Sequence, residues 1–545
     1  MQLAGLICGA AAATPKNVLF IAVDDMRPDI GAFNFSLAHT PNLDRLGATG
    51  TIFKRAYVQY AFCAPSRNSF MSGRRPDTTR VWNFHDHFRE EGVGAEWATL
   101  PQYFKNNGFV TMGSGKLFHP MLPPDNDWPN SWSALSQTEN VSYYSPECMP
   151  PACPNSRAPG AEQSPYSPNG AYHCVSADPV QGFTLCAANT SKDESRFMQQ
   201  LEGQRIRDSC LGQLEVGARA ISRAAAPATG FFVGCGFHKP HVPWIFPAEF
   251  LHQFPANLSD IPLASDPFAP VGMPDVAWHY PADVHGMGIQ FNGTCNETRA
   301  RNYRRGYYAA IAYTDYNIGQ LLDKLDDLGV AASTAVIVFG DHGWQLGEHD
   351  TWSKMTNFEV ALRIPLIIRA PWFPNSVGVT TSVLAEAVDF YPTLAGLVGL
   401  PDPKSAGPAS AGINGTDLTP VFRDPVANAA LKDAAYSQFA KPSVAQPFAF
   451  WPTPARNATN IMGYSVRVDA WRYTAWFRFD NVTITPMTHA PLLGRELYDH
   501  HGDTGLLDWK GEHVNVAEEA ANADVVETLH AKILDYIQLF PVHSA

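Results

Sequence analysis

Two acidic groups in this chain sit where a buried strand should end. Asp24 and Asp25 close the apolar run Val18-Leu19-Phe20-Ile21-Ala22-Val23, and Asp341 and His342 follow Thr334-Ala335-Val336-Ile337-Val338-Phe339-Gly340. A short, continuous apolar run followed by a turn signal reads as a strand covered on both faces. Paired carboxylates at one strand end commonly serve as turn residues or helix caps. Two such groups after two buried strands point further. Gathered in one place, three carboxylates repel one another unless a cation lies between them. Oxygen-rich sites suit calcium or magnesium, and calcium tolerates irregular geometry; the histidine leaves the metal identity open. A third stretch, Cys63-Ala64-Pro65-Ser66-Arg67, opens a predicted helix, so residue 63 falls near a helix N-terminus, a place that suits an anionic ligand. Alone, Cys63 would be a small buried thiol. Lys116, His119, His238 and Lys354 would, taken singly, be solvated lysines and core-edge histidines.

The spacing of Cys63, Pro65 and Arg67 resembles the motif that the formylglycine-generating enzyme acts on in type I sulfatases. The likeness extends to Gly73-Arg74-Arg75-Pro76-Asp77-Thr78-Thr79-Arg80, to Gly115-Lys116-Leu117-Phe118-His119-Pro120 and to Phe237-His238-Lys239-Pro240-His241-Val242-Pro243. It continues in Asp341 to His349 with Lys354, and in Ile461 to Arg467 with the Trp-Arg-Tyr-Thr-Ala-Trp run after it. In these segments the chain resembles the iduronate 2-sulfatase branch of that family, over nearly the whole mature length. The resemblance implies an alkaline-phosphatase-like sulfatase fold. It implies conversion of Cys63 to formylglycine, whose hydrate is the nucleophile. It implies one divalent cation, with calcium the expected ion, held by Asp24, Asp25, residue 63, Asp341 and His342. Arg67 would hold the hydrate, while Lys116, His119, His238 and Lys354 would surround the sulfate and the leaving oxygen. His238 is the favoured acid for that oxygen, since an alcohol is a poor leaving group. Trp344 and His349 match the same segments and carry no assigned role.

The elements that must position these residues alternate along the chain. Strands are predicted at residues 17–24, 56–60, 109–112, 231–235, 334–339 and 363–369, with helices at 40–50, 65–71, 100–107, 194–225 and 301–328. Alternation of this kind gives an α/β fold, a large, mostly parallel sheet between helices. The polar residues named above fall just past strand ends, the edge at which open α/β sheets bind ligands. From about Pro401 the pattern changes to alternating strands, as in Tyr464 to Val468 and Trp471 to Trp476, which read as a smaller C-terminal α+β subdomain with an antiparallel sheet closed by a helix at 525–540. The expected organisation is a signal peptide at 1–13, a catalytic unit at 14–400 and the subdomain at 401–545. A Cys-rich insertion at about 123–191 would be stapled by Cys148, Cys153, Cys174 and Cys186.

Bulk properties exclude several classes. The 545 residues carry a formal charge of −13 without a basic block, which argues against nucleic acid or an anionic membrane as partner. No apolar run reaches the length of a membrane span. The apolar, alanine-rich start resembles a signal peptide. Nine Asn-x-Ser/Thr sequons, at Asn34, Asn140, Asn189, Asn257, Asn292, Asn296, Asn414, Asn457 and Asn481, agree with a secretory route to an extracellular or lysosome-like compartment. Cys235, inside an apolar strand, is the expected free core thiol. The function expected is hydrolysis of the sulfate ester of a sulfated carbohydrate. The alternatives are a phosphoester hydrolase on the same fold and a secreted glycan-binding protein whose Cys63 is never converted.

Overall fold

The protein is described by a computed structural model covering residues 15–119, 126–133, 144–145, 172–176, 185–188, 201–223, 227–242, 244–278, 295–442, 455–503 and 511–539. The predicted signal peptide, the expected Cys148, Cys153, Cys174 and Cys186 staples, and the sequons at Asn140, Asn189 and Asn292 lie outside the described residues.

The strand Asn17–Val23 is the centre of the main sheet, and none of its residues reaches solvent. It pairs in parallel with Gly230–Phe237 on one side and Thr334–Gly340 on the other. Phe109–Gly115 continues the parallel set beyond Gly230–Phe237. On the far side, Leu366–Arg369 runs antiparallel to both Thr334–Gly340 and Thr51–Tyr57, and Val379–Glu386 joins Thr51–Tyr57 in parallel. Among the described residues the mixed sheet has nine strands. Along the central strand, Leu19, Ile21 and Val23 enter one core, shared with the helices Glu202–Ile221 and Glu297–Asp327. Val18, Phe20 and Ala22 enter the other, under Cys63–Ser72, Leu100–Asn106 and Phe390–Val398. Burial on both faces explains why the strand reads as an unbroken apolar run.

Three expectations are corrected. The predicted 56–60 strand lies at Thr51–Tyr57, since its apolar run continues into the buried, irregular approach to Cys63. The predicted 363–369 strand is two short strands, Arg363–Ile364 and Leu366–Arg369, separated by Pro365, which has no N–H for a ladder. Cys235 is not a free thiol: it is disulfide-bonded to Cys210, which projects from the Glu202–Ile221 helix onto its strand.

The second sheet is antiparallel, built from Ala435–Lys441, Ile461–Arg467, Trp471–Asp480 and Gly494–Asp499, and the helix Ala523–Gln538 shares its core. That core also takes in Tyr60, Phe62 and Met355, so this sheet packs close behind the Cys63 segment. Among the described residues no helix is long and apolar enough to cross a membrane.

Candidate active site

Four strand ends meet through their backbones. The amide of Asp24 donates to Phe237 O (2.9 Å), that of Asp341 to Val23 O (3.0 Å) and that of Lys116 to Gly236 O (2.8 Å). The last contact needs glycine, because a Cβ on Gly236 would lie 2.1 Å from Lys116 O. Asp25 takes a positive φ of 61°, and its amide donates to Asp341 Oδ1 (2.9 Å). Ser353 and Met355, flanking Lys354, both have φ of 76°. Such conformations cost non-glycine residues energy and persist where the surroundings over-determine them, commonly at functional sites. Met355 N donates to Ala61 O (3.0 Å), which ties the Lys354 segment to the approach of Cys63.

Cys63 is the first residue of the helix Cys63–Ser72 and is buried. Its Sγ lies 3.4 Å from Asp24 Oδ1, 3.3 Å from His342 Nε2, 3.1 Å from Lys354 Nζ and 3.8 Å from Lys116 Nζ. Arg67, one turn along, donates from Nη2 to Asp24 Oδ1 (3.1 Å) and pairs with Asp341 Oδ2 (2.8 Å); Nη1 donates to the carbonyls of Lys116 and Leu117. Lys116 Nζ sits 2.5 Å from Asp24 Oδ2, and Lys354 Nζ 2.7 Å from Asp25 Oδ1. His342 Nδ1 faces its neighbour's carbonyl, Gly343 O, at 2.9 Å, which turns Nε2 to the carboxylates.

Arg67, Lys116 and Lys354 therefore already oppose the three aspartates, and carboxylate repulsion alone does not demand an ion. Two other observations favour one. Donor atoms of Asp24, Asp25, Cys63 and His342 lie within 4.8 Å of one another. Asp25 Oδ2 is buried without a hydrogen-bond partner, and such a group is costly unless something binds it. The donor set is mostly hard oxygen, as calcium or magnesium requires.

Burial pushes every carboxylate of the cluster upward, and the neighbours then separate them. Lys116, with His241, Arg67 and Lys354, outweighs burial at Asp24 and holds it well below the usual range. At Asp25, burial prevails over Lys354, reinforced by the charges of Asp24 and Asp341, and the carboxyl is pushed well up. Burial raises Asp341 to about 7. The Cys63 thiol is pushed up by burial and by Asp24, against Lys116 and Lys354, so an unmodified cysteine here stays a thiol rather than a thiolate. Burial and the lysines push His342 and His241 down, which keeps both imidazoles neutral.

Of the residues singled out in the sequence, Asp24, Asp25, Cys63, Arg67, Lys116, His238, Asp341, His342 and Lys354 come together. His238 faces Asp24 Oδ2 with Nε2 at 3.7 Å. His119 is half-buried, its ring 4.5 Å from that of Phe84, which stacks at 4.1 Å on Phe62, the residue before Cys63. Sequence reasoning missed His241, whose Nε2 lies 3.9 Å from Asp25 Oδ2 and whose ring lies 4.6 Å from that of His238. The signal was there in the His-Lys-Pro-His turn, which places both imidazoles on one side. It also missed Tyr307, whose hydroxyl donates to Asp25 O (2.6 Å) and accepts from Arg27 N (2.9 Å). Glu202, in contact with His238, gave no local signal at all.

A sheet of this topology, with its acidic strand ends turned onto a buried residue 63, belongs to the alkaline-phosphatase-like sulfatases. The sulfatase family model matches residues 16–400, and the chain belongs to that family. It is 34% identical to iduronate 2-sulfatase of Homo sapiens over 509 residues, 85% of this chain and 85% of the human one. It is 33% identical to the Mus musculus iduronate 2-sulfatase over 522 residues, 87% and 86% of the two chains. Among solved structures, the phosphonate monoester hydrolase SpPMH from Silicibacter pomeroyi aligns over 97% of this chain and 96% of its own, with a TM-score of 0.67 and 18% identity, a likeness of fold. The protein is a sulfatase, a sulfuric ester hydrolase similar over most of its length to iduronate 2-sulfatases.

Proposed function

We propose that this sulfatase removes sulfate from a sulfated carbohydrate, with a uronate 2-sulfate the first candidate substrate, and that its nucleophile is a formylglycine hydrate made from Cys63. The observation that carries this reading is the surrounding of Cys63 Sγ by Lys354, His342, Asp24 and Lys116, all within 3.8 Å. The sulfur marks where the hydrate oxygens would stand.

One hydroxyl of the hydrate gives its proton to the adjacent Asp24 carboxylate and attacks sulfur, and the bond from sulfur to the sugar oxygen breaks with its electron pair on that oxygen. Lys116 and Lys354 neutralise charge on the sulfuryl oxygens, the kind of preorganised charge that typically dominates such transfers. His238 gives the leaving oxygen its proton, and His241 stands beside it. The second hydroxyl then passes its proton to the His238 imidazole left neutral by the first step, the aldehyde carbonyl reforms, and sulfate leaves with the electron pair of the bond that held it to the residue; addition of water to the aldehyde restores the hydrate. Splitting the reaction in this way replaces one hard step by two easier ones. Arg67, buried and paired with Asp24 and Asp341, keeps the start of the Cys63 helix fixed against these carboxylates. A divalent cation, calcium by the irregular oxygen-rich character of the site, would be held by Asp24, Asp25, Asp341, His342 and residue 63, and would supply Lewis-acid and charge-neutralising chemistry there.

The partners that go with this reading are the sulfated sugar and a formylglycine-generating enzyme during maturation. Its setting is the secretory pathway, ending outside the cell or in a lysosome-like compartment. In keeping with that, Asn34, Asn257, Asn296 and Asn457 are exposed sequons. Residues 401–545 would serve as the subdomain that backs the Cys63 segment.

The test is sulfate release by the formylglycine-bearing protein from defined sulfated mono- and disaccharides, run beside phosphate and phosphonate monoesters. The reading expects release from one class of sulfated sugar and little turnover of the phosphorus esters. Preferred turnover of phosphonates, the substrate class named for SpPMH, would favour the phosphoester alternative. Tight sugar binding without turnover by a protein with intact Cys63 would favour the glycan-binding one.

A further inference from the structure

We propose that Glu202 is a positioning residue for the sulfatase reaction: its carboxylate holds His238 by Nδ1, so that Nε2 faces the Asp24 side of the site, where the leaving oxygen takes its proton. This deepens the reading above and rests on His238 as the acid.

Glu202 is remote in sequence from every other site residue. It is the first residue of the helix Glu202–Ile221 and is 4% exposed. A carboxylate there is favoured by the helix N-terminus. Its Oε1 lies 2.6 Å from His238 Nδ1, and its Oε2 3.6 Å from Lys239 Nζ. On the opposite side of the ring, Nε2 of His238 lies 3.7 Å from Asp24 Oδ2. An imidazole with a carboxylate at Nδ1 carries its fixed proton on that nitrogen, which leaves Nε2 as the nitrogen that exchanges a proton with a ligand.

The backbone of this turn does not depend on Glu202. His241 N donates to His238 O (2.8 Å), Thr314 Oγ1 to Lys239 O (2.8 Å) and Trp244 Nε1 to Pro240 O (2.6 Å). The ring of His238 also rests on that of His241. The turn is pinned from three sides, and what remains for Glu202 to fix is the rotation and tautomer of the His238 ring. In the step this serves, the Nε2–H bond breaks, the proton passes to the ester oxygen, and the electron pair of the broken oxygen–sulfur bond stays on that oxygen. The imidazole left behind keeps its Nδ1 proton toward Glu202.

The test uses the full-length, formylglycine-bearing enzyme and a series of sulfate esters from para-nitrophenyl sulfate, whose leaving group needs no proton, to alkyl and sugar sulfates, whose leaving groups do. Glu202→Gln is expected to lower kcat on the alkyl and sugar esters about 10–100-fold, in the range for removing such an orienting partner. KM should be little changed, and the aryl ester should be turned over nearly as by the parent. His238→Ala should show the same dependence on the leaving group, more steeply, and Glu202→Asp should recover part of the loss. If Glu202→Gln loses one common factor on every ester, or changes KM alone, while His238→Ala keeps the leaving-group dependence, the role of Glu202 is overturned and the assignment of His238 stands. If His238→Ala shows no such dependence, the assignment of His238 fails and this inference with it. Should Glu202→Gln not accumulate as folded protein, Glu202→Asp, which keeps the charge but withdraws it by one methylene, is read by the same criteria.

Discussion

Two of the buried charge clusters among the described residues are made from the same ingredients and behave in opposite ways. One lies between the two sheets, where Glu359, Asp503 and Glu512 face Arg363, Arg467 and Arg472 around His500. The other surrounds Cys63, where Asp24, Asp25 and Asp341 face Arg67, Lys116 and Lys354. Between the sheets the acids are met by planar guanidinium forks and backbone donors. Glu359 accepts from Tyr57 (2.8 Å) and Arg467 (3.2 Å), and Glu512 accepts from the Glu359 amide (2.7 Å) and pairs with Arg472 Nε (2.9 Å). Arginine's rigid fork suits such fixed pairs. Burial would raise Glu359, but Arg467 and Arg472, with His500 and Arg363, hold it well below its usual range. Around Cys63, two of the three cations are lysines, which act as movable point charges. Asp25 is pushed up rather than down, its Oδ2 has no hydrogen-bond partner, and the backbone is strained at Asp25, Ser353 and Met355. Between the sheets the carboxylate oxygens are met and the atoms left without hydrogen-bond partners are arginine nitrogens, Arg363 Nε and Nη2 and Arg472 Nε; around Cys63 a carboxylate oxygen, Asp25 Oδ2, lacks one, which leaves that site ready to bind a cation.

The sharpest way to break this comparison is at its centre. Cys63→Ala should lower sulfate release by at least about 10³-fold, as loss of a covalent nucleophile does, with the circular dichroism spectrum unchanged. Next comes Asp25→Asn, expected to cost on the order of 10²–10³ in kcat. In chelator-treated protein the same change should leave the melting temperature equal or higher, because the ionised carboxylate is disfavoured there. A clear fall in that melting temperature would place Asp25 with the structural cluster instead. Arg467→Ala should do the reverse. Removing one partner of a buried pair costs about 3–5 kcal/mol of stability, read by denaturant unfolding, while kcat of the folded fraction stays close to the parent's.

The smallest effect concerns Glu496, in the second sheet beside Glu512. Burial raises its carboxyl from 4.5 to about 7, against the hydrogen bonds from Trp476 and Tyr498. Below pH 4.5 the folded and unfolded chains are both protonated at this group. Between 4.5 and about 7 the folded chain keeps a proton that the unfolded chain has lost, so stability falls as pH rises through that window. Glu496→Gln should flatten this part of the stability–pH curve, a change on the order of 1–3 kcal/mol. An unaltered slope would show that Glu496 is not held protonated.

The sequence made one cluster legible and hid the other. Asp24, Asp25, Asp341 and His342 could be read because each follows an apolar run whose end is marked by charge. Cys63 could be read because Pro65 and Arg67 fix its context. The arginines of the inter-sheet cluster sit in strands of alternating polarity, where Arg467 and Arg472 look like ordinary outward-facing residues until a second sheet covers them. Glu202 stood at the start of a helix whose beginning had been placed at residue 194, and only tertiary packing brings it to His238. Cys210 was hidden for the same reason: it faces Cys235 from a helix 25 residues earlier in the chain. His241 is visible in its turn yet carries no role there, because the role of His238 comes from the family resemblance and no local pattern adds its neighbour. Pro365 is equally plain, and its missing N–H splits the predicted 363–369 strand in two.

The central claim is that residue 63 works as a converted side chain held among these charges. Its most direct test is the mass of the peptide spanning residue 63, measured on protein batches that differ in sulfate-releasing activity. A peptide lighter than the cysteine form is expected, in a proportion that tracks activity from batch to batch. Full sulfatase activity from protein whose residue 63 is entirely an unmodified thiol would contradict it.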